Sequence, residues 1–139
     1  MLDTRVIAMR LQKLDSYQQS LHQLQKISRD EYLQDDNIQA VVERKLQLSI
    51  QVCIDIANYL IAQLGLRAPE QLENVFLVLG REGILSRELA QRMVGMVRFR
   101  NILVHNYLNT DADIVYDHLQ KGLPDFEQFA LEVVNRFLS

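Results

Sequence analysis

The pattern from Asp36 to Leu64 limits the fold more than any other stretch of the chain. Val42, Leu46, Ile50, Cys53, Ala57, Leu60 and Leu64 recur at three- and four-residue steps, and Leu48, Val52, Ile56 and Tyr59 form a second apolar line. Only a narrow polar line through Arg44, Gln51, Asp55, Asn58 and Ala62 is left. Such a helix is roughly 40 Å long at 1.5 Å per residue. With two apolar lines it must be nearly engulfed by neighbours, so the rest of the chain has to supply partner helices. The 139 residues are the size of one domain, 1–139, able to bury a core without staples. With five Gly, two Pro and no Trp, the composition favours helices over a sandwich or barrel. The expected fold is all-α, an up-and-down bundle of about five helices.

The other helices are marked by their caps. Asp3 is placed to cap a first helix reaching about Ile27, with Ile7, Leu11, Leu14, Leu21 and Leu24 as its core stripe. Ser28 and Glu31 have capping-box spacing in "SRDEYLQDDN", which reads as turn and cap residues ahead of the long helix. Gly65 is expected to end that helix. Pro69 sits where a helix accepts its first residue, which predicts a short helix over 69–80 closed by Gly80. Ser86 can cap a fourth helix, and a fifth starts near Asp111, breaks at Gly122 to Pro124 and resumes to the C-terminus.

Several functional classes are disfavoured. Cys53 is the only cysteine, so no intrachain disulfide can form, and its apolar neighbours suggest a buried thiol in a reducing compartment, the cytoplasm. The start "MLDTRVIAMRLQ" lacks the apolar stretch of a signal peptide, and the apolar region 46–64 is cut by Gln47, Gln51, Asp55 and Asn58, so neither export nor membrane spanning is expected. The net charge of −3 argues against a protein that coats nucleic acid. It conceals an asymmetry: between residues 81 and 101 five arginines face two glutamates, a local +3, so the remainder carries −6. A phosphate-bearing partner would be met there.

"RNILVHNY", residues 100–107, lies at the end of that stretch. On an ideal helix Leu89, Met93, Met96, Val97, Leu103 and Val104 share one side, with Arg100 and Tyr107 projecting into the same sector about 20° apart. His105 lies about 140° from Arg100, so the three converge only if the helix loosens or a second chain completes the pocket. Phe99 and Ile102 are expected on the opposite, exposed side, as a subunit contact. Arg forks onto phosphate oxygens, His exchanges a proton near neutral pH and Tyr offers a hydroxyl, a set suited to a phosphoester without a metal. The plainer alternative is a buried ion pair of Arg100 with Asp55, a helix-end His105 and a core Tyr107. Asp55 could instead orient a motif side chain. Asp111, Asp113, Asp117 and His118 have the types for a metal cluster, but the first two are what a helix start prefers. Gly80 and Gly83 lack the strand context of a phosphate loop.

The string Arg100-Asn101, three residues, His105-Asn106-Tyr107 resembles the Arg-x4-His-x-Tyr signature of the HEPN superfamily, and specifically of its HepT-type toxins. "DEYLQDDNIQAVVERKLQLSIQVCIDIANYLIAQLGLRAP", "GILSRELAQRMVGMVRFRNILVHNY" and the tail resemble that family in order and spacing. The resemblance implies a homodimer whose motifs line a shared cleft and a metal-independent RNase acting on RNA, with Arg100 and His105 catalytic. It also implies a neighbouring antitoxin of the minimal nucleotidyltransferase (MntA-like) type, which transfers AMP to Tyr107. Asn101, which follows the arginine in many members, and Asp55 would support the site. No metal and no cofactor are expected. The alternative is a non-catalytic helical subunit that binds a nucleotide or the nucleotidyltransferase.

Overall fold

The computed structural model describes residues 2–105 and 110–139. The signature is therefore described as far as His105, and Asn106 and Tyr107 lie outside the described residues.

Helix α1 (Thr4–Leu24) begins where expected: the Asp3 carboxylate accepts from the Arg5 N–H at 2.9 Å. The Asp3 N–H donates to Tyr59 Oη at 2.8 Å, tying this start to the long helix. Ile7, Leu14 and Leu21 are buried, as is Gln18, whose Nε2 donates to the buried Ser49 Oγ at 3.1 Å. The helix ends at Leu24, short of the expected Ile27. "SRDEYLQDDN" is more than a turn, because the Ser28 and Glu31 box starts a short helix of its own, α2 (Arg29–Gln34), which buries Tyr32 completely. Asp35, one residue beyond it, caps the long helix α3 (Asp36–Gln63) by accepting from the Ile38 N–H at 3.0 Å.

Helix α3 is the axis of the bundle. Val42, Leu46, Ile50, Cys53, Ile54, Ile56, Ala57, Leu60 and Ile61 are buried along it, each large aliphatic stabilising the fold by about 1.5–3 kcal/mol. It is not wholly engulfed: Leu48 and Val52 are half-buried and Leu64 is exposed. Gly65 ends it in the left-handed region, φ +67°, where its N–H reaches Ala62 O and the Leu66 N–H reaches Ile61 O.

The helix expected over 69–80 is shorter. Residues around Pro69 carry nothing strongly apolar to bury, and the chain turns helical only at a 3-10 turn, Leu72–Asn74, followed by α4 (Val75–Arg81), where Val75, Phe76, Val78 and Leu79 enter the core. Gly80 is inside α4, and a Cβ there would lie 2.9 Å from Ala90 Cβ, so its role is close helix approach. Gly83, at φ +72°, makes the left-handed ending instead.

Helix α5 (Arg87–His105) is capped by Ser86, whose Oγ accepts from the Leu89 N–H at 3.3 Å. Asp111 caps α6 (Ala112–Lys121), and Gly122 joins it directly to α7 (Leu123–Phe137), with Pro124 in the first turn. From α7, Glu132 accepts from the Ser86 N–H at 2.6 Å. Phe129 of α7 meets Phe76 edge-on at 5.7 Å between centroids.

Helix α6 overturns one expectation about α5. Phe99 does not face water: it is 4 % exposed, and the His118 ring stacks on it at 3.7 Å. Ile102 is exposed as expected, at 48 %. Three long-range bonds clasp the end of α1 to α6: Gln25 Nε2 donates to Leu119 O at 2.9 Å, Gln120 Nε2 to Gln25 O at 2.9 Å, and Tyr116 Oη to Ile27 O at 2.7 Å. No described helix is long and apolar enough to cross a membrane.

Candidate active site

Arg100 lies near the end of α5 and turns toward α3, half-buried. Its Nη2 donates to Gln51 Oε1 at 2.8 Å and its Nη1 to Asn101 Oδ1 at 3.1 Å. Its Nε is buried with no hydrogen-bond partner among the described residues. The direct ion pair with Asp55 that the sequence left open is not formed. Asp55 Oδ2 instead accepts from Arg10 Nη1 at 3.4 Å, while Asp55 Oδ1 accepts from Gln51 Nε2 at 2.9 Å. Asp55 is thus both ion-paired and, through one intervening amide, connected to Arg100.

His105 ends α5 and is exposed. The Arg100 guanidinium turns toward α3, so the two side chains of one copy of the chain have different surroundings, one half-buried and one exposed. Asn101 joins Arg100 as expected. Of the other cations in the arginine-rich stretch, Arg92 Nε is held by Asp125 Oδ1 at 2.8 Å and Arg98 Nε by Glu73 Oε2 at 3.4 Å. Among the described residues no carboxylate lies within 4.0 Å of the Arg100 guanidinium. A guanidinium in a half-buried setting with no carboxylate beside it is able to receive an anion, and the lowered dielectric there strengthens such an attraction.

Next to this network runs a groove of about 530 Å³ between α1 and α3. Val6, Met9, Leu48 and Val52 are its apolar lining, and Arg10, Lys13, Gln51 and Asp55 are among its polar lining. Met9 is 70 % exposed. Sequence reasoning did not find Gln51 and Arg10 as site residues; the one available signal is that Gln51 stands four residues before Asp55 on the polar line, in reach for an amide-to-carboxylate bond.

The remaining candidates have other partners. Asp113 and Asp117 both accept from Arg29, each at 2.7 Å, and Asp111 serves as its helix cap. Burial lowers the pKa of His118 in its stack on Phe99. No group of three or more His, Cys, Asp or Glu among the described residues is placed to hold a metal ion. Cys53 is fully buried, and desolvation raises its thiol pKa far above the usual range, so it is no nucleophile. Glu43 on α3 is half-buried with its pKa raised by desolvation, and it hydrogen-bonds Thr110 just beyond the motif.

Known proteins share this architecture. A family model described as "Ribonuclease HepT-like" matches residues 9–133. The mRNA nuclease HepT of Shewanella oneidensis is 32 % identical over 121 residues, 86 % of this chain and 91 % of that protein. The tRNA nuclease HepT of Aphanizomenon flos-aquae is 30 % identical over 128 residues, 92 % of this chain and 87 % of that protein. A solved structure of the tri-AMPylated Shewanella oneidensis HEPN toxin in complex with MNT antitoxin aligns with a TM-score of 0.87 at 30 % identity, covering 97 % of this chain and 99 % of that one.

Proposed function

The chain belongs to the ribonuclease HepT-like family, and from that membership we propose that it is the toxin of a toxin-antitoxin pair, an endoribonuclease that works without a metal. The observation that carries the site assignment is Arg100, half-buried and without a carboxylate partner among the described residues. In the reaction, the RNA 2′-hydroxyl attacks the adjacent phosphorus, its proton passes to His105, and the 5′-oxygen leaves with a proton returned to it. Arg100 stabilises the charge that grows on the phosphate oxygens. Residues 1–139 act as one HEPN-type domain, and the buried, unpaired Cys53 supports a cytoplasmic setting.

The site is completed by a second copy. Phe99 no longer supports that view, but exposed Ile102 remains, and the apolar lining of the α1–α3 groove adjoins Gln51 and Asp55. A dimer formed there covers Met9 and brings two arginine-rich helix ends to one cleft. The partner is a minimal nucleotidyltransferase antitoxin, as in the related complex. It silences the toxin by AMP transfer: the Tyr107 phenol oxygen attacks the α-phosphorus of ATP, loses its proton and displaces pyrophosphate. The attached phosphate then occupies Arg100 and repels the RNA backbone.

The test is cleavage of RNA by the purified chain with no partner bound. Parent protein should cleave equally with and without EDTA, and Arg100→Ala and His105→Ala should each lose about 10²- to 10⁴-fold while keeping the fold. Abolition by EDTA overturns the metal-free mechanism. Absence of cleavage by the parent points to the non-catalytic binding subunit. With antitoxin and ATP, increments of about 329 Da, AMP less water, should map to the peptide holding Tyr107.

A further inference from the structure

We propose that Gln51 is a positioning residue of the ribonuclease site, holding the Arg100 guanidinium in place without cancelling its charge. The proposal rests on the catalytic assignment of Arg100 above.

The chemistry of the two neighbours leaves little choice of residue between them. A guanidinium only donates hydrogen bonds and a carboxylate only accepts them. The side chain that links the two must accept on one side and donate on the other. Gln51 does so in a single orientation, with Oε1 on Arg100 Nη2 at 2.8 Å and Nε2 on Asp55 Oδ1 at 2.9 Å. Turning the amide over would set an N–H₂ against the guanidinium and an oxygen against the carboxylate, so Asp55 locks the amide that aims Arg100. Asp55 is in turn met by Arg10 at 3.4 Å. The row Arg10, Asp55, Gln51, Arg100 therefore ends on one uncompensated positive charge. A carboxylate at position 51 would instead form a direct ion pair, and a phosphate would have to compete with it.

Gln51→Glu tests this because the substitution keeps the shape and changes the charge. At neutral pH and above, the introduced carboxylate pairs with Arg100, and kcat should fall at least about tenfold. As pH falls the carboxyl protonates and regains both an acceptor for Arg100 and a donor for Asp55. The ratio of variant to parent cleavage should therefore rise toward one in acid, a response that loss of fold cannot produce. Gln51→Leu, which removes both bonds, should lower kcat with a ratio independent of pH. Parent-like cleavage by both variants, or a pH-independent ratio for Gln51→Glu, overturns the proposal. Arg100→Ala runs alongside: if it cleaves like the parent, the assignment of Arg100 fails and takes this proposal with it, whereas an inactive Arg100→Ala beside a parent-like Gln51→Glu overturns the role of Gln51 alone.

Discussion

Arg29 and Arg100 are the same residue in opposite surroundings. Arg29, on α2, divides its fork between Asp113 and Asp117 of α6 at 2.7 Å each and lies over the Tyr116 ring at 4.8 Å. Arg100, on α5, is held by two amides, Gln51 and Asn101. The first arrangement cancels a cation and pins one helix to another. The second holds a cation between two neutral acceptors and leaves its charge available. The acceptor, carboxylate or amide, separates a structural arginine from the one proposed to act on RNA.

The widest gap between the two should appear on replacement by lysine. Arg100→Lys keeps the charge and loses the planar fork, and RNA cleavage should fall about 10²-fold or more, while Arg29→Lys cleaves at the parent rate. Equal rates for the two variants would erase the distinction. Asp55→Asn should cost about tenfold in cleavage, because the amide of Gln51 is no longer oriented by a carboxylate, and single-turnover rates would reveal it. On the Arg29 side the readout is stability. The Tyr32 hydroxyl is buried with no partner among the described residues, and its ring packs on Tyr116 at 5.2 Å. Tyr32→Phe should leave the denaturation midpoint unchanged or raise stability by up to about 1 kcal/mol.

Arg29→Ala should have the smallest effect, a slight drop in Tm that fades in high salt, since the pair is exposed. Its pH dependence has a definite sign. The hydrogen bond from Arg29 lowers the pKa of Asp117, so the contribution is present above the unfolded carboxylate pKa of about 3.9 and is lost as pH falls through the depressed folded value. Parent and variant should therefore converge in acid, and a Tm gap that widens there would contradict the assignment.

What can be read from the sequence is local. Asp3, Ser86 and Asp111 cap helices within three residues of themselves, and Gly65 needs only its own φ, so spacing and residue type suffice, whereas the short helix that Ser28 starts reads only as a turn. Arg100 is legible as an inward arginine because the helical period places it there. The failures are non-local. Phe99 is far from the main stripe of α5, and nothing in α5 tells that His118 will cover it. Gln51 meets Arg100 across 49 positions, a contact that no period within α3 can signal. Pro69 misleads because a permitted first position is no reason for a helix where there is no apolar side to bury.

The clasp between α1 and α6 joins residues 89 to 95 positions apart. At roughly 5–20 residues per second, a ribosome adds Tyr116 about 4–18 seconds after Ile27. Throughout that interval the Gln25 and Ile27 carbonyls lack the side-chain donors that α6 will bring them, although α5 and its arginine have already been made. Synthesis of α6, and not appearance of the motif, therefore sets the earliest moment at which the clasp can close.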